Sequence, residues 1–410
     1  MASSTKVKMH GAGDGLPCAS PRAIMALPMG PIVILDKSAL QGLSGEEIDF
    51  LQKHYYVNVV PILIMEILAD LKKIERSQLL SAGEVVRLAR KLREGDSGIN
   101  ADYRTLCAGS LLGNLVPMQG SCVVGGGEPI HTADGQAGVF IDTPPERWAI
   151  MRWQDGMFEE AEEALASRWR RTTAEIDLTV HRDRLKRAYL VIPSCSSLTQ
   201  VREALDNLLA QLTIQQALLE WLLEEHDLPA SARDAIKMRW VESGATYLDR
   251  FAPYAAYCLR VELSFIIALR DRLIGTRRTN RLDLEYCFYL PFCMAFVSGD
   301  KLHADLAKLF LREDQEFVQA TELKRDLRAM AAEWQSLSDE QRRQRQGEYG
   351  WYPPPQEDSI TCKLWERHMR PRSADEASMS PGERQRLHEH LRSLIQAVEA
   401  RDRRKSGKAD

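Results

Sequence analysis

The sequence predicts an α/β protein in which a parallel sheet flanked by helices is interrupted by a large, mainly α-helical insertion and followed by a mostly helical C-terminal region. Three observations predict it. Strand-like and helix-like patterns alternate from Pro31 to about residue 75, helical periodicity dominates from Asp155 to Ile274, and the alternation returns between Asn280 and Arg312.

Order begins at Pro31. The run PIVILD is short, β-branched and apolar, the pattern of a buried strand, and it delivers Asp36 at its C-terminal end. Ser44 and Glu47 form a capping-box signature for a helix reaching about His54, and VNVV (57–60) reads as a second buried strand. Pro61 opens the helix ILIMEILADLKK, with Ile64, Ile67, Leu68 and Leu71 on one stripe. Gly95 to Arg147 has no period and many glycines, so it reads as a long loop with one hairpin through GVFID. Those glycines invite a phosphate-loop reading, but no GK[ST] follows them and no strand feeds them, which argues against it.

From residue 155 to 274 the pattern is that of at least three packed amphipathic helices. Leu198, Val201, Leu205, Leu208, Leu212, Leu219 and Leu222 mark it most clearly. Asn280 to Phe292 then reads as a helix capped by Asn280, MAFVS (294–298) as a buried strand, and Lys301 to Arg312 as a helix. A charged helix (313–335), a linker-like stretch DEQRRQRQGEYGWYPPPQ, the segment ITCKLWERHMRP, a charged helix near 381–400 and a basic end complete the chain. The expected organisation is a flexible N-terminus (1–30), a domain over 31–312 whose core is discontinuous (31–75 and 280–312) around an insertion at about 95–278, and a C-terminal region over 313–410.

The 410 residues carry 54 Lys+Arg against 58 Asp+Glu, a net charge of -4, so any phosphate-binding surface has to be local. Eight scattered cysteines include no CxxC pair and no zinc-ligand spacing, and they read as reduced thiols of a cytoplasmic protein. Pro28 and Gly30 interrupt the first apolar stretch before it reaches signal-peptide length. No run approaches the roughly 18 apolar residues of a membrane span.

Chemistry is expected where acids stand at strand ends. Asp36 follows IVIL, and Asp300 follows AFVSG; side chains at the carboxyl ends of α/β strands converge on a crevice. Glu66 lies early on the helix after the second strand, and Asp283 at the start of the helix before the third. Four carboxylates in one cleft repel unless a divalent cation neutralises them, and Mg²⁺ or Mn²⁺ suits hard oxygen ligands and phosphoryl chemistry.

These segments carry a resemblance. PIVILDKSAL looks like the first strand of PIN domains, VNVVPILIMEILADL resembles the strand and helix that bring that family's Glu, and RLDLEYCFYLPFCMAFVSGDKLH is similar to its closing unit. The resemblance covers roughly residues 31–75 and 280–312. It implies a PIN-like parallel sheet and a metal-dependent nuclease, more often acting on RNA, that leaves 5′-phosphate and 3′-hydroxyl ends. It also implies Asp36, Glu66, Asp283 and Asp300 as catalytic metal ligands, with Ser38 and Ser298 near the metal or the scissile phosphate; Lys37, outside the family pattern, reads as a residue that positions phosphate or else points to solvent. The chain departs from the family in the 217 residues separating Glu66 from Asp283, in Lys37 after the first acid, and in the last hundred residues.

Each acid also has a plainer reading, as a turn or helix-cap residue, and Glu285 rivals Asp283 as third acid. Asp70 reads first as a solvated acid and second as an acid supporting Glu66 on the same helix face, His303 first as a surface residue and second as a general acid or base, Glu262 as a buried, paired acid, and Cys287 and Cys293 as core. RWAIMRW (147–153) and SRWRR (167–171) read first as amphipathic helix and second as base-stacking, phosphate-binding stretches. Two other functions compete with a free nuclease. One is an inactive PIN-like scaffold whose helical insertion binds an inhibitory or assembly protein; the other is a partner-restrained toxin-type ribonuclease.

Overall fold

The computed structural model describes residues 30–73, 78–93, 97–125, 128–131, 137–140, 143–180, 191–371 and 389. The chain divides into two units, the larger comprising residues 28–126 and 142–379. In the smaller one, strands β4 (Glu128–His131) and β5 (Ala137–Phe140) pair as an antiparallel hairpin, as GVFID suggested.

The larger unit opens with β1 (Ile32–Leu35), whose four apolar side chains are all buried. Asp36 then caps α1 (Lys37–Gly42), and Ser44 and Glu47 form the expected capping box of α2 (Gly45–His54). β2 (Tyr56–Val59) leads through Pro61, at the first helical position, into α3 (Pro61–Leu68). A 3₁₀ turn (Ala69–Lys72) and α4 (Gln78–Ala89) follow. The sequence reading continued α3 straight through this turn. The tighter winding instead directs Asp70 inward, where it is 2% exposed.

The segment expected to be a loop contains a third parallel strand, β3 (Ser97–Ile99), and α5 (Tyr103–Leu111). β3 has only three residues and lacks periodicity because its centre is Gly98. A Cβ there would lie 2.5 Å from Tyr56 Oη and 3.0 Å from Cys122 Sγ, so close approach requires glycine.

Helices α6 (Pro145–Gln154), α7 (Glu160–Ala174), α8 (Leu198–Leu209), α9 (Gln215–Glu225), α10 (Ala230–Glu242), α11 (Leu248–Phe251) and α12 (Pro253–Arg270) follow. The leucine period expected to run from residue 198 to 222 breaks after Leu209, leaving Leu212 exposed in a short 3₁₀ turn. α12 packs on α5 and α8 and is buried along most of its length, so its apolar residues show no single stripe.

α13 (Asn280–Cys287) is preceded by Thr279 as its cap position. Asn280, expected to be the cap, instead donates from Nδ2 to the Gly275 carbonyl at 2.6 Å. A 3₁₀ turn over 290–292 leads into β6 (Ala295–Ser298), then α14 (Lys301–Phe310). A fifth strand, β7 (Glu316–Gln319), precedes α15 (Ala320–Ser336) where the sequence predicts only a charged helix, because EFVQ is short and polar, as an edge strand is. The stretch read as a linker is largely α16 (Asp339–Tyr349), which buries no residue but has a Ser338/Gln341 capping box. α17 (Ile360–His368) packs on α15. The expected helix near 381–400, the N-terminus and the basic end lie outside the described residues, residue 389 excepted.

All five strands are parallel, in the order β3-β2-β1-β6-β7. The chain builds outward from β1 in one direction through β2 and β3, then outward from β6 in the other. The strand order therefore reverses between β1 and β6, where Val33 pairs with Ala295 and Leu35 with Val297. No helix among the described residues is long and apolar enough to cross a membrane. The seven cysteines within the described residues are all free, with Cys287 and Cys293 in the core as expected.

Candidate functional site

The reversal between β1 and β6 fixes where side chains can converge. At such a point the connections leave the two strands toward opposite flanks, opening a crevice at their carboxyl ends. Asp36 is the first residue past β1 and Ser298 the last of β6. The Asp36 N–H donates to the Val297 carbonyl at 3.1 Å, which locks the two ends together.

The Asp36 carboxylate is 4% exposed and densely hydrogen-bonded. It accepts from the Ala39 N–H at 2.7 Å, from Ser38 Oγ at 2.9 Å and from Ser298 Oγ at 2.6 Å. His303, one turn into α14, lies with Nδ1 2.8 Å from Ser298 Oγ and 3.4 Å from Asp36 Oδ2. Its Nε2 is 2.8 Å from the Asp283 carbonyl oxygen, which can only accept. With the Ser298 hydroxyl donating to Asp36, Nδ1 completes the network best as a second donor, an arrangement that favours the protonated ring. Burial works against that charge, but the hydrogen bond and charge of Asp36, with Asp283, raise the His303 pKa above its ordinary value. Burial likewise works to raise the Asp36 carboxyl. His303, with the bonds from Ser298 and Ala39, outweighs it and leaves the pKa below the usual carboxylate value.

The other three acids surround this pair. Glu66, on the second turn of α3, accepts from Tyr286 Oη at 2.6 Å. Burial raises its pKa against that bond and the charge of Lys37. Asp283 stands on the first turn of α13, and burial pushes its carboxyl up to about 7. His303 opposes the rise, while the charges of Asp300, Glu66 and Asp36 add to it. Asp300 caps α14, accepting from the Leu302 N–H at 2.6 Å and donating its own N–H to Ser298 Oγ at 2.9 Å. The four acids thus gather at one end of the sheet, near enough to feel one another's charge. Among the described residues, however, no three His, Cys, Asp or Glu side chains are arranged to hold a metal ion.

The residues expected to meet phosphate are otherwise engaged. Ser298 is fully buried and donates to Asp36, as does the exposed Ser38. Lys37 Nζ donates to the Glu66 carbonyl at 2.9 Å and pairs with Asp70 at 2.7 Å. Glu285 turns the other way, toward Arg104 at 3.6 Å and Arg281 at 3.7 Å, so Asp283 alone of the two faces the other acids. Glu262 is buried and pairs with Arg281 at 3.6 Å, as expected.

Two readings need correction. Asp70 is not solvated but buried between Lys37 and Arg170 of α7, the latter at 3.1 Å. His303 is not a surface residue but 1% exposed, because the N-terminal turn of α14 lies over the acid end of β6. Its signal was present: His303 precedes the buried Leu306 and Phe310 by three and seven residues, the spacing of one helical stripe. Tyr286, also overlooked, follows Asp283 by three on α13 and so shares its face. No protein-family model, no curated protein and no solved structure matches the chain.

Proposed function

We propose that the chain is a divalent-metal-dependent nuclease that hydrolyses phosphodiester bonds at the carboxyl ends of β1 and β6, with RNA the favoured substrate. One observation carries the reading: acids from four separate segments lie, at the point where the strand order reverses, near enough to bear on the charge of Asp283. The resemblance of residues 31–75 and 280–312 to PIN domains supports the same conclusion. The donor set fits Mg²⁺ or Mn²⁺, since it consists of carboxylate oxygens, and Asp283 is held near 7 partly by three neighbouring acids whose repulsion a cation would relieve.

Asp36, Glu66, Asp283 and Asp300 would hold the cation. When bound, it supplies an acidified water and charge stabilisation on the phosphate oxygens. Ser298 and His303 orient Asp36, Tyr286 orients Glu66, and Lys37 ties the start of α1 to Asp70. Mn²⁺-dependent cleavage of a labelled RNA should fall roughly 100-fold or more in Asp36→Asn and in Asp300→Asn. Undiminished cleavage by both variants overturns the assignment.

A second reading, an inactive PIN-like scaffold that binds a protein partner, is favoured by one specific feature. Asp36 is already satisfied by four internal donors and offers no ready-made metal geometry. Calorimetric titration with Mn²⁺ separates the two. Binding that disappears in Asp36→Asn supports the nuclease, and no binding by the wild type supports the scaffold.

A further inference from the structure

The net charge of -4 requires any phosphate-binding surface to be local, and one such surface adjoins the acids. A groove of about 1050 Å³ is lined by Lys37 and Glu66, by the 3₁₀ turn after α3, by α7, and by the start of α13. Six cationic side chains line it: Lys37, Lys72, Lys73, Arg170, Arg171 and Arg278. Only two acids do, Glu66 and Asp70.

The cations fall into two sets. Lys37 and Arg170 are spent on Asp70, and Lys72 pairs with Glu163 at 2.6 Å. Lys73, Arg171 and Arg278 have no acidic partner among the described residues, and the last two are exposed. Trp169 also lines the groove, its ring partly buried against the core and so held in place. Cations without an acidic partner, of which Arg278 also donates to the Ala174 carbonyl, beside a partly buried indole suit a strand whose phosphates are regularly spaced and whose bases are free to stack. A duplex hides its bases in its own stack and cannot use the indole.

We propose that this groove seats a single-stranded segment of nucleic acid, Trp169 stacking a base while Lys73, Arg171 and Arg278 contact phosphates. Glu66 and Lys37 belong to both groove and acid cluster, so a strand lying here passes the acids. That last step rests on the nuclease reading, whereas the binding does not.

Binding can be measured with cleavage switched off. The full chain in EDTA is titrated into a fluorescently labelled oligouridylate at several salt concentrations, and anisotropy is recorded. The triple variant Lys73→Ala/Arg171→Ala/Arg278→Ala should bind roughly 10- to 100-fold more weakly. Its slope of log affinity against log salt should be shallower by about 2, at about 0.7 per lost contact on a single strand. Trp169→Ala should cost roughly 5- to 100-fold, and Trp169→Phe should recover most of it. Arg343→Ala on α16, an exposed cation away from the groove lining, should change nothing.

The proposal is overturned if the wild type does not bind, if the triple variant binds as tightly and with the same slope, or if duplex RNA of equal length or polyglutamate competes as well as the single strand. Groove-dependent binding with no metal-dependent cleavage overturns the nuclease reading alone. Asp36-dependent cleavage with affinity indifferent to the groove overturns the groove alone.

Discussion

His54 makes the stability of the larger unit depend on pH with a sign and size that can be worked out. It ends α2 and is fully buried. Its Nδ1–H donates to the Trp351 carbonyl at 3.0 Å, its own carbonyl accepts from Trp365 Nε1 at 2.8 Å, and its Nε2 has no partner among the described residues. Burial lowers its pKa from 6.5 to about 4, against the bond to Trp351 and with help from Lys53. Between those two values the unfolded chain binds the extra proton, so stability rises with pH. The contribution is fully present above 6.5 and is lost as pH falls toward about 4. At about 1.4 kcal/mol per pH unit, lowering pH from 7 to 4.5 removes about 2.5 kcal/mol through this residue. Other acids titrate in the same range, so the measurement is a comparison: urea unfolding followed by tryptophan fluorescence at both pH values, for wild type and His54→Asn. The variant keeps a donor near Trp351 but no titration. Its loss between pH 7 and 4.5 should be smaller than that of the wild type by about that amount; parallel losses refute the reasoning.

Two further changes test the packing that holds the site. Asp70→Asn leaves Lys37 and Arg170 unpaired at 19% and 37% exposure, where water offsets part of the loss that a buried pair would suffer. It should lower the urea midpoint by the equivalent of about 1–2 kcal/mol without changing the slope, and a loss below about 0.5 kcal/mol means the pair is effectively solvated. Gly30→Ala would set a Cβ 2.1 Å from the His54 carbonyl oxygen, backbone that cannot swing aside. It should cost about 3 kcal/mol by the same assay, whereas an unchanged midpoint means the entry into β1 has room the structure denies.

What the sequence disclosed depended on how strongly each element advertises itself. β1, β2 and β6 are buried on both faces, so their apolar runs are plain; the capping box of α2 and Pro61 mark helix starts by local chemistry that burial does not alter. β3 and β7 are edge strands of three and four residues, one centred on glycine and one polar, and neither length nor period separates them from loops. α16 was missed for the opposite reason, since a helix that buries nothing has no stripe to read. At the site, the order of the four acids was visible, but their compensation was not. That Asp70 turns inward depends on a 3₁₀ turn, and that His303 is favoured in its protonated form depends on the buried Asp36 and Ser298 beside it.

The compensation bears on why the acids are there at all. A buried carboxylate held by hydroxyls and a histidine contributes little net stability, because the desolvation of charge offsets the attraction, and apolar residues of similar volume would hold the sheet end as well or better. The same network, however, orients two of the acids, Asp36 through Ser298 and His303 and Glu66 through Tyr286. Lys37 adds a link in the other direction, joining the start of α1 through Asp70 to Arg170 and so to the wall of the basic groove. If the groove seats a strand as proposed, these polar connections, at a point where an apolar core would be more stable, link its phosphates to the carboxylates.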